Sequence, residues 1–90
     1  MKNPYHVEIT KSAAKEFKKL PNPIKEKIKE VTCLLAQNPR SDFLNIKKMK
    51  GTQDLYRIRV GDYRVVYEVF DNKFIIVIIK LGHRKEVYKK

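Results

Sequence analysis

The sequence predicts an α+β fold, in which an N-terminal strand and a helical hairpin pack on a mostly antiparallel sheet of about four strands. Three observations predict it. Residues 55–81 hold three successive runs rich in β-branched and aromatic residues, punctuated by Gly61-Asp62 and Asp71-Asn72-Lys73. Residues 13–35 carry apolar side chains at helical spacing, interrupted once at Pro21. Residues 5–10 alternate apolar and polar ahead of both. Helices grouped apart from a strand meander mark α+β rather than an alternating α/β chain.

In YHVEIT (residues 5–10), Tyr5, Val7 and Ile9 share one face of a strand. Thr10 or Ser12 caps the helix that follows, on which Ala13, Phe17 and Leu20 recur up to Pro21. Asn22-Pro23 starts a second helix: a capping residue, then a proline in the first turn, where a missing N–H costs nothing. Ile24, Ile28, Val31 and Leu35 form its apolar stripe, with Lys25, Lys27, Lys29, Glu26 and Glu30 mostly off it. This helix stops near Asn38-Pro39, because the residue before a proline is pushed out of helical angles. Residues 40–42 read as loop, and LNIKKMK (44–50) as a short, weakly alternating edge strand. Strands follow at 55–60, 63–70 and 74–81. Glycine at 61 supplies the positive φ that a two-residue hairpin turn needs. The last strand, FIIVIIKL, is apolar on both faces, which places it centrally and covered on both sides.

Length and charge bound the function. Ninety residues make a single domain, 1–90. An apolar fraction of 42% is ordinary for a folded chain and argues against disorder. The 21 Lys and Arg against 10 Asp and Glu leave a net charge of +11, which points to nucleic acid, an acidic protein or a membrane surface. The lone Cys33 cannot close an intrachain disulfide, and it falls opposite the apolar stripe as a passive residue. The first residues lack the apolar centre of a signal peptide. The longest apolar run, 74–79, is far short of the roughly 20 residues of a membrane-spanning helix. A cytoplasmic protein with no membrane partner is the expectation. His6 has no neighbouring ligand set, and none of the glycines lies in a phosphate-loop pattern, so neither metal nor cofactor is expected.

The chemistry concentrates in LYRIRVGDYRVVYEV (residues 55–69). A two-residue turn at Gly61-Asp62 makes Val60 face Tyr63, Arg59 face Arg64, and Arg57 face Val66. Tyr56, Ile58, Val60, Tyr63, Val65 and Tyr67 then meet the helices, and Arg57, Arg59 and Arg64 share the opposite face. Like charges opposed on adjacent strands cost a few tenths to about 1 kcal/mol. A phosphate between them reverses that sign, since each guanidinium offers paired donors to phosphate oxygens. Glu68 on the same face offers an equally weighted structural alternative, neutralising Arg64. With Asp71-Asn72-Lys73 as a three-residue loop, Phe70 faces Phe74 and Arg64 faces Lys80; a two-residue turn shifts this pairing by one. Lys80 joins the basic region in the first case, followed by Gly82-His83-Arg84. Lys47, Lys48 and Lys50 extend the patch or are ordinary surface lysines.

The GDYR turn, the apolar strand after it, the terminal GHRKEVY, the preceding MKG and the strand–helix–helix start together resemble the RelE toxins of the RelE/ParE superfamily, over essentially the whole chain. The resemblance implies a compact α+β toxin of a type II toxin–antitoxin system, a ribosome-dependent mRNA interferase that cleaves mRNA in the A site of the 70S ribosome without metal. It implies Arg64 as the transition-state arginine, Arg84 as a second arginine on the scissile phosphate and proton donor, and Tyr88 as the tyrosine that stacks on or orients the nucleotide. His83, beside Arg84, is a further catalytic candidate by analogy with proton-transfer histidines of the superfamily. Arg57, Arg59, Lys50 and Lys80 are the substrate-binding set. Arg57 and Arg59 stand where some members carry lysines; arginine stays protonated, so these two stabilise charge rather than act as bases.

The implied reaction is attack of an RNA 2′-hydroxyl on the adjacent phosphate, with charge building on a phosphorane that fixed guanidiniums stabilise. The implied partner is an acidic RelB-like antitoxin, partly disordered when free, through whose complex alone operator DNA is bound. Two other readings remain at this level: a ParE-like gyrase-inhibiting toxin, and a non-catalytic nucleic-acid-binding module.

Overall fold

The computed structural model of the chain describes residues 4–41, 44–49, 51 and 54–83. The strands are β1 (His6–Ile9), β2 (Ile46–Lys48), β3 (Leu55–Val60), β4 (Tyr63–Phe70) and β5 (Ile75–His83). They form one sheet in the order β1-β5-β4-β3-β2. Two helices, α1 (Lys11–Lys18) and α2 (Asn22–Gln37), fall between β1 and β2 in the chain. The α+β class holds, with one refinement. The N-terminal strand is not a layer upon the sheet but its outermost member, parallel to β5, while every other pairing is antiparallel.

Local chemistry accounts for the helix ends. Thr10 is extended (φ −71°, ψ 162°), and its Oγ1 accepts from the Ala13 N–H at 3.2 Å, which selects Thr10 over Ser12 as the cap. The second helix begins one residue earlier than its sequence suggests. Pro21, not Asn22, occupies the cap position, and its carbonyl accepts from the N–H groups of Ile24 and Lys25, each at 3.0 Å. Asn38 ends α2 at φ −157° and ψ 100°, the extended state that a following proline imposes.

The core lies between the helices and one sheet face. Ala13, Ile28 and Leu35 pack against Tyr56, Ile58, Val60, Val65, Tyr67, Val69, Ile76, Ile78 and Leu81. Burial of each large apolar side chain contributes on the order of 1.5–3 kcal/mol. The first hairpin has the expected register, Val60 opposite Tyr63, Arg59 opposite Arg64 and Arg57 opposite Val66. Gly61 sits at φ +62°, as that turn requires.

The second hairpin differs from both expected registers. Phe74 adopts a left-handed conformation (φ 53°) after the 3₁₀ turn Asp71–Lys73, so the connection is four residues long and Phe70 faces Ile75. A bulge at Ile79 then shifts the pairing once more, giving Val66 opposite Lys80 and Arg64 opposite Gly82. One slip turns every side chain over; two restore the original faces. The bulge thereby brings Leu81 into the core after Ile78 and turns Lys80 outward. β5 is interior to the sheet, yet only one of its faces meets helices among the described residues; Ile75, Val77 and Ile79 on the other are half-buried.

Arg40, in a segment read from sequence as plain loop, ties three parts of the fold together. Its Nε donates to the Tyr56 hydroxyl at 2.7 Å, and its two Nη atoms donate to Asp71 at 3.0 and 2.8 Å. The Tyr5 hydroxyl donates to the same carboxylate at 2.7 Å. Hydrogen bonds from Arg40 and then Tyr5 hold the Asp71 carboxyl below its ordinary pKa. Tyr56 stacks on Tyr67 with ring centroids 5.6 Å apart, and the Tyr67 hydroxyl donates to the Pro39 carbonyl at 2.6 Å. Burial raises the Tyr67 pKa, which keeps that hydroxyl a donor.

Candidate nucleic-acid interface

On the sheet face away from the helices, register places eight residues in two rows that cross four strands. The first row is Asn45, Arg59, Arg64 and Gly82; the second is Lys47, Arg57, Val66 and Lys80. Asn45 joins the first row just ahead of β2, its carbonyl accepting from the Arg59 N–H at 3.3 Å. Five of these residues, Asn45, Lys47, Arg57, Arg59 and Arg64, line an open concavity of ≈ 200 Å³.

Each arginine is held differently. Arg64 lies on β4 with β3 and β5 on its flanks, and Gly82 across from it presents no side chain, so the arginine beds down to 9% exposure. Arg59 is exposed, and its Nε donates to the Gly61 carbonyl at 3.2 Å, which leans it over the turn. Arg57 is half-buried between Lys47 and Val66. Glu68 forms no ion pair among the described residues; its register partners are Leu55 and Val77. The alternative role given to it is therefore not seen there.

The other sequence candidates fall into three groups. Lys80 is on the arginine face but beyond Val66, outside the lining of the concavity. His83 lies opposite Tyr63 on the other pleat, its ring edge-on to the tyrosine at 5.5 Å, so adjacency to Gly82 in sequence does not bring it to the Arg64 face. Lys50, Arg84 and Tyr88 lie outside the described residues. Sequence reasoning missed Asn45 altogether and left Lys47 undecided. A three-residue strand carries too little alternation to fix which lysine faces which way; only its pairing with β3 does. Among the described residues no group of three His, Cys, Asp or Glu side chains is placed to hold a metal ion, and no helix is long and apolar enough to cross a membrane.

Comparison with known proteins decides the family. Residues 7–88 match the model described as the ParE toxin of the type II toxin–antitoxin system parDE. Toxin RelE3 of Methanocaldococcus jannaschii is 37% identical over 84 residues, which are 91% of this chain and 93% of that protein. The mRNA interferase toxin RelE of Escherichia coli is 31% identical over 90 residues, 96% of this chain and 92% of the relative. The chain belongs to the RelE family of toxins. A solved archaeal RelE–RelB complex from Pyrococcus horikoshii superposes on this RelE-family toxin with a TM-score of 0.81 at 36% identity, covering 90% of this chain and 96% of the other. The family match runs through residue 88 and so takes in Arg84 and Tyr88 of the toxin, which lie outside the described residues.

Proposed function

We propose that this type II toxin is a ribosome-dependent, metal-independent mRNA interferase whose scissile phosphate sits over Arg59 and Arg64. The observation that carries the proposal is the concavity itself: three guanidiniums, Arg57, Arg59 and Arg64, converge with Lys47 on one sheet face. Folding alone selects against Arg59 directly opposite Arg64. A bound phosphodiester, and still more the phosphorane formed from it, turns that juxtaposition into a favourable one.

In the proposed reaction the 2′-oxygen of the RNA bonds to phosphorus, the bond from phosphorus to the 5′-oxygen breaks, and the 2′-proton leaves while the 5′-oxygen gains one. A 2′,3′-cyclic phosphate and a 5′-hydroxyl result. Arg64, fixed and largely withdrawn from water, stabilises the equatorial oxygens at no reorganisation cost. Arg59 shares the scissile phosphate with Arg64, and Arg57 binds the flanking charge; neither is a base, since a guanidinium keeps its proton. Arg84 donates to the leaving oxygen and Tyr88 stacks on the nucleotide, as the resemblance implies. The ribosome supplies the alignment of the 2′-oxygen. The toxin acts in the cytoplasm, and an acidic RelB-like antitoxin neutralises it; the Pyrococcus relative was solved with its RelB. Operator DNA is reached through that antitoxin complex.

The description of the matching family model as a ParE toxin supports a second reading, gyrase inhibition. Primer extension on translated mRNA separates the two. Cuts within codons, lost in Arg64→Ala and Arg84→Ala variants that still bind antitoxin, support the interferase. Gyrase-dependent DNA breaks without mRNA cuts support the second reading, and full toxicity in both variants removes the site assignment.

A further inference from the structure

Lys47 and Lys48 are neighbours in sequence with opposite fates. Lys48 turns to the Asp54 side, its Nζ 3.5 Å from the carboxylate. Lys47 turns to the concavity, directly opposite Arg57, and no carboxylate among the described residues forms an ion pair with it. A cation facing a cation on the adjacent strand, with its neutralising acid given to the residue next door, is the same unfavourable arrangement as Arg59 opposite Arg64. The two pairs lie in successive rows of one face. Rows two residues apart along a strand are separated by about 6.5–7 Å, roughly one nucleotide step of an extended backbone. The first row presents Arg59 and Arg64, the second Lys47 and Arg57. β2, which carries Lys47, is the last strand of the sheet order, so the concavity is open on that side among the described residues. The strand itself is anchored: the Met49 N–H donates to the Leu55 carbonyl at 2.8 Å, and Ile46 packs against the core.

We propose that Lys47, with Arg57, binds a second phosphate next to the one over Arg59 and Arg64, so that the site grips two consecutive phosphates of one RNA strand running obliquely across β3. Lys47 is a binding and positioning residue here: a flexible point charge on a surface edge, suited to a phosphate that does not react. The proposal rests on the arginine-face reading above and extends it by one nucleotide and one residue.

The test is the salt dependence of binding. The full chain is titrated, by fluorescence anisotropy, onto a labelled single-stranded oligonucleotide made of 2′-O-methyl RNA, which cannot be cleaved by attack of a 2′-hydroxyl. Each phosphate contact to a single strand adds about 0.7 to the slope of log affinity against log salt. Lys47→Ala is expected to flatten the slope by about 0.7, so that its affinity deficit narrows roughly 2.6-fold between 50 and 200 mM salt. Lys47→Arg is expected to retain the wild-type slope, and Lys48→Ala to leave it unchanged. Lys47 is exposed on a short strand, and circular dichroism of the alanine variant checks that the sheet is intact.

A wild-type slope in Lys47→Ala, or equal flattening in Lys48→Ala, overturns the second-phosphate site. The double variant Arg57→Gln/Arg59→Gln tells the two levels apart. If it flattens the slope and Lys47→Ala does not, the second site alone fails. If neither does, or if the wild-type protein does not bind the oligonucleotide, the arginine-face reading fails with it.

Discussion

Arg59→Gln is expected to raise stability and lower activity at once. Arg59 is directly opposite Arg64 and solvent-exposed, with one hydrogen bond to the exposed turn carbonyl of Gly61. Removing its charge relieves a like-charge pair worth about 0.2–1 kcal/mol. Water replaces the lost donor at Gly61, so little is surrendered there. For a domain of this size, 1 kcal/mol moves Tm by about 4–8 °C, which gives an upward shift of about 1–8 °C. The gain should fade in 1 M salt, where the screening length falls to about 3 Å. Cleavage should fall about 10- to 150-fold, the worth of one charge-assisted contact of roughly 1.5–3 kcal/mol. Differential scanning fluorimetry at two salt concentrations, with primer extension in a translation extract, reads both quantities. A lower Tm that ignores salt would show that Arg59 holds the sheet together, and undiminished cleavage would show that it touches no substrate; either refutes the reasoning.

Two further outcomes follow from the polar network at the other end of the sheet. Tyr67→Phe removes the donor to the buried Pro39 carbonyl, and leaving that acceptor unsatisfied should cost about 1–3 kcal/mol in denaturant unfolding with cleavage unchanged, because Tyr67 faces the helices. Asp71 has its pKa lowered in the folded state by Arg40 and Tyr5, so its stabilisation is present above the ordinary carboxyl pKa, about 3.9, and is lost as pH falls through the folded value. Wild-type Tm should therefore converge on that of Asp71→Asn on acidification from pH 6 towards pH 2; parallel curves throughout would show that the Arg40–Asp71 contact does not contribute.

Particular residues show how much was legible in the chain. The Gly61-Asp62 turn is a local instruction, because positive φ at a glycine sets a two-residue loop, and that loop sets the pairing of Arg57, Arg59 and Arg64 without reference to the rest of the fold. The same holds for the helices, whose apolar spacing, Thr10 cap and Pro39 stop act within a few residues. The GDYR turn and terminal HRKEVY carry the family likeness in sequence alone. The second hairpin was not legible. Phe74 in a left-handed conformation and a bulge at Ile79 have no local signature, since the gain that pays for them is core burial of Leu81 several residues on.

By itself, then, the amino-acid order determined the helices, the arginine-bearing hairpin, the excess of positive charge and the toxin family, all of which depend on short-range chemistry or on composition. Only the tertiary structure decided that Lys47 rather than Lys48 meets Arg57, that Asn45 walls the concavity, that Lys80 faces outward and that His83 does not join Arg64. Those placements depend on which strands neighbour one another and in what register, and that pairing is settled by contacts between residues far apart in the chain.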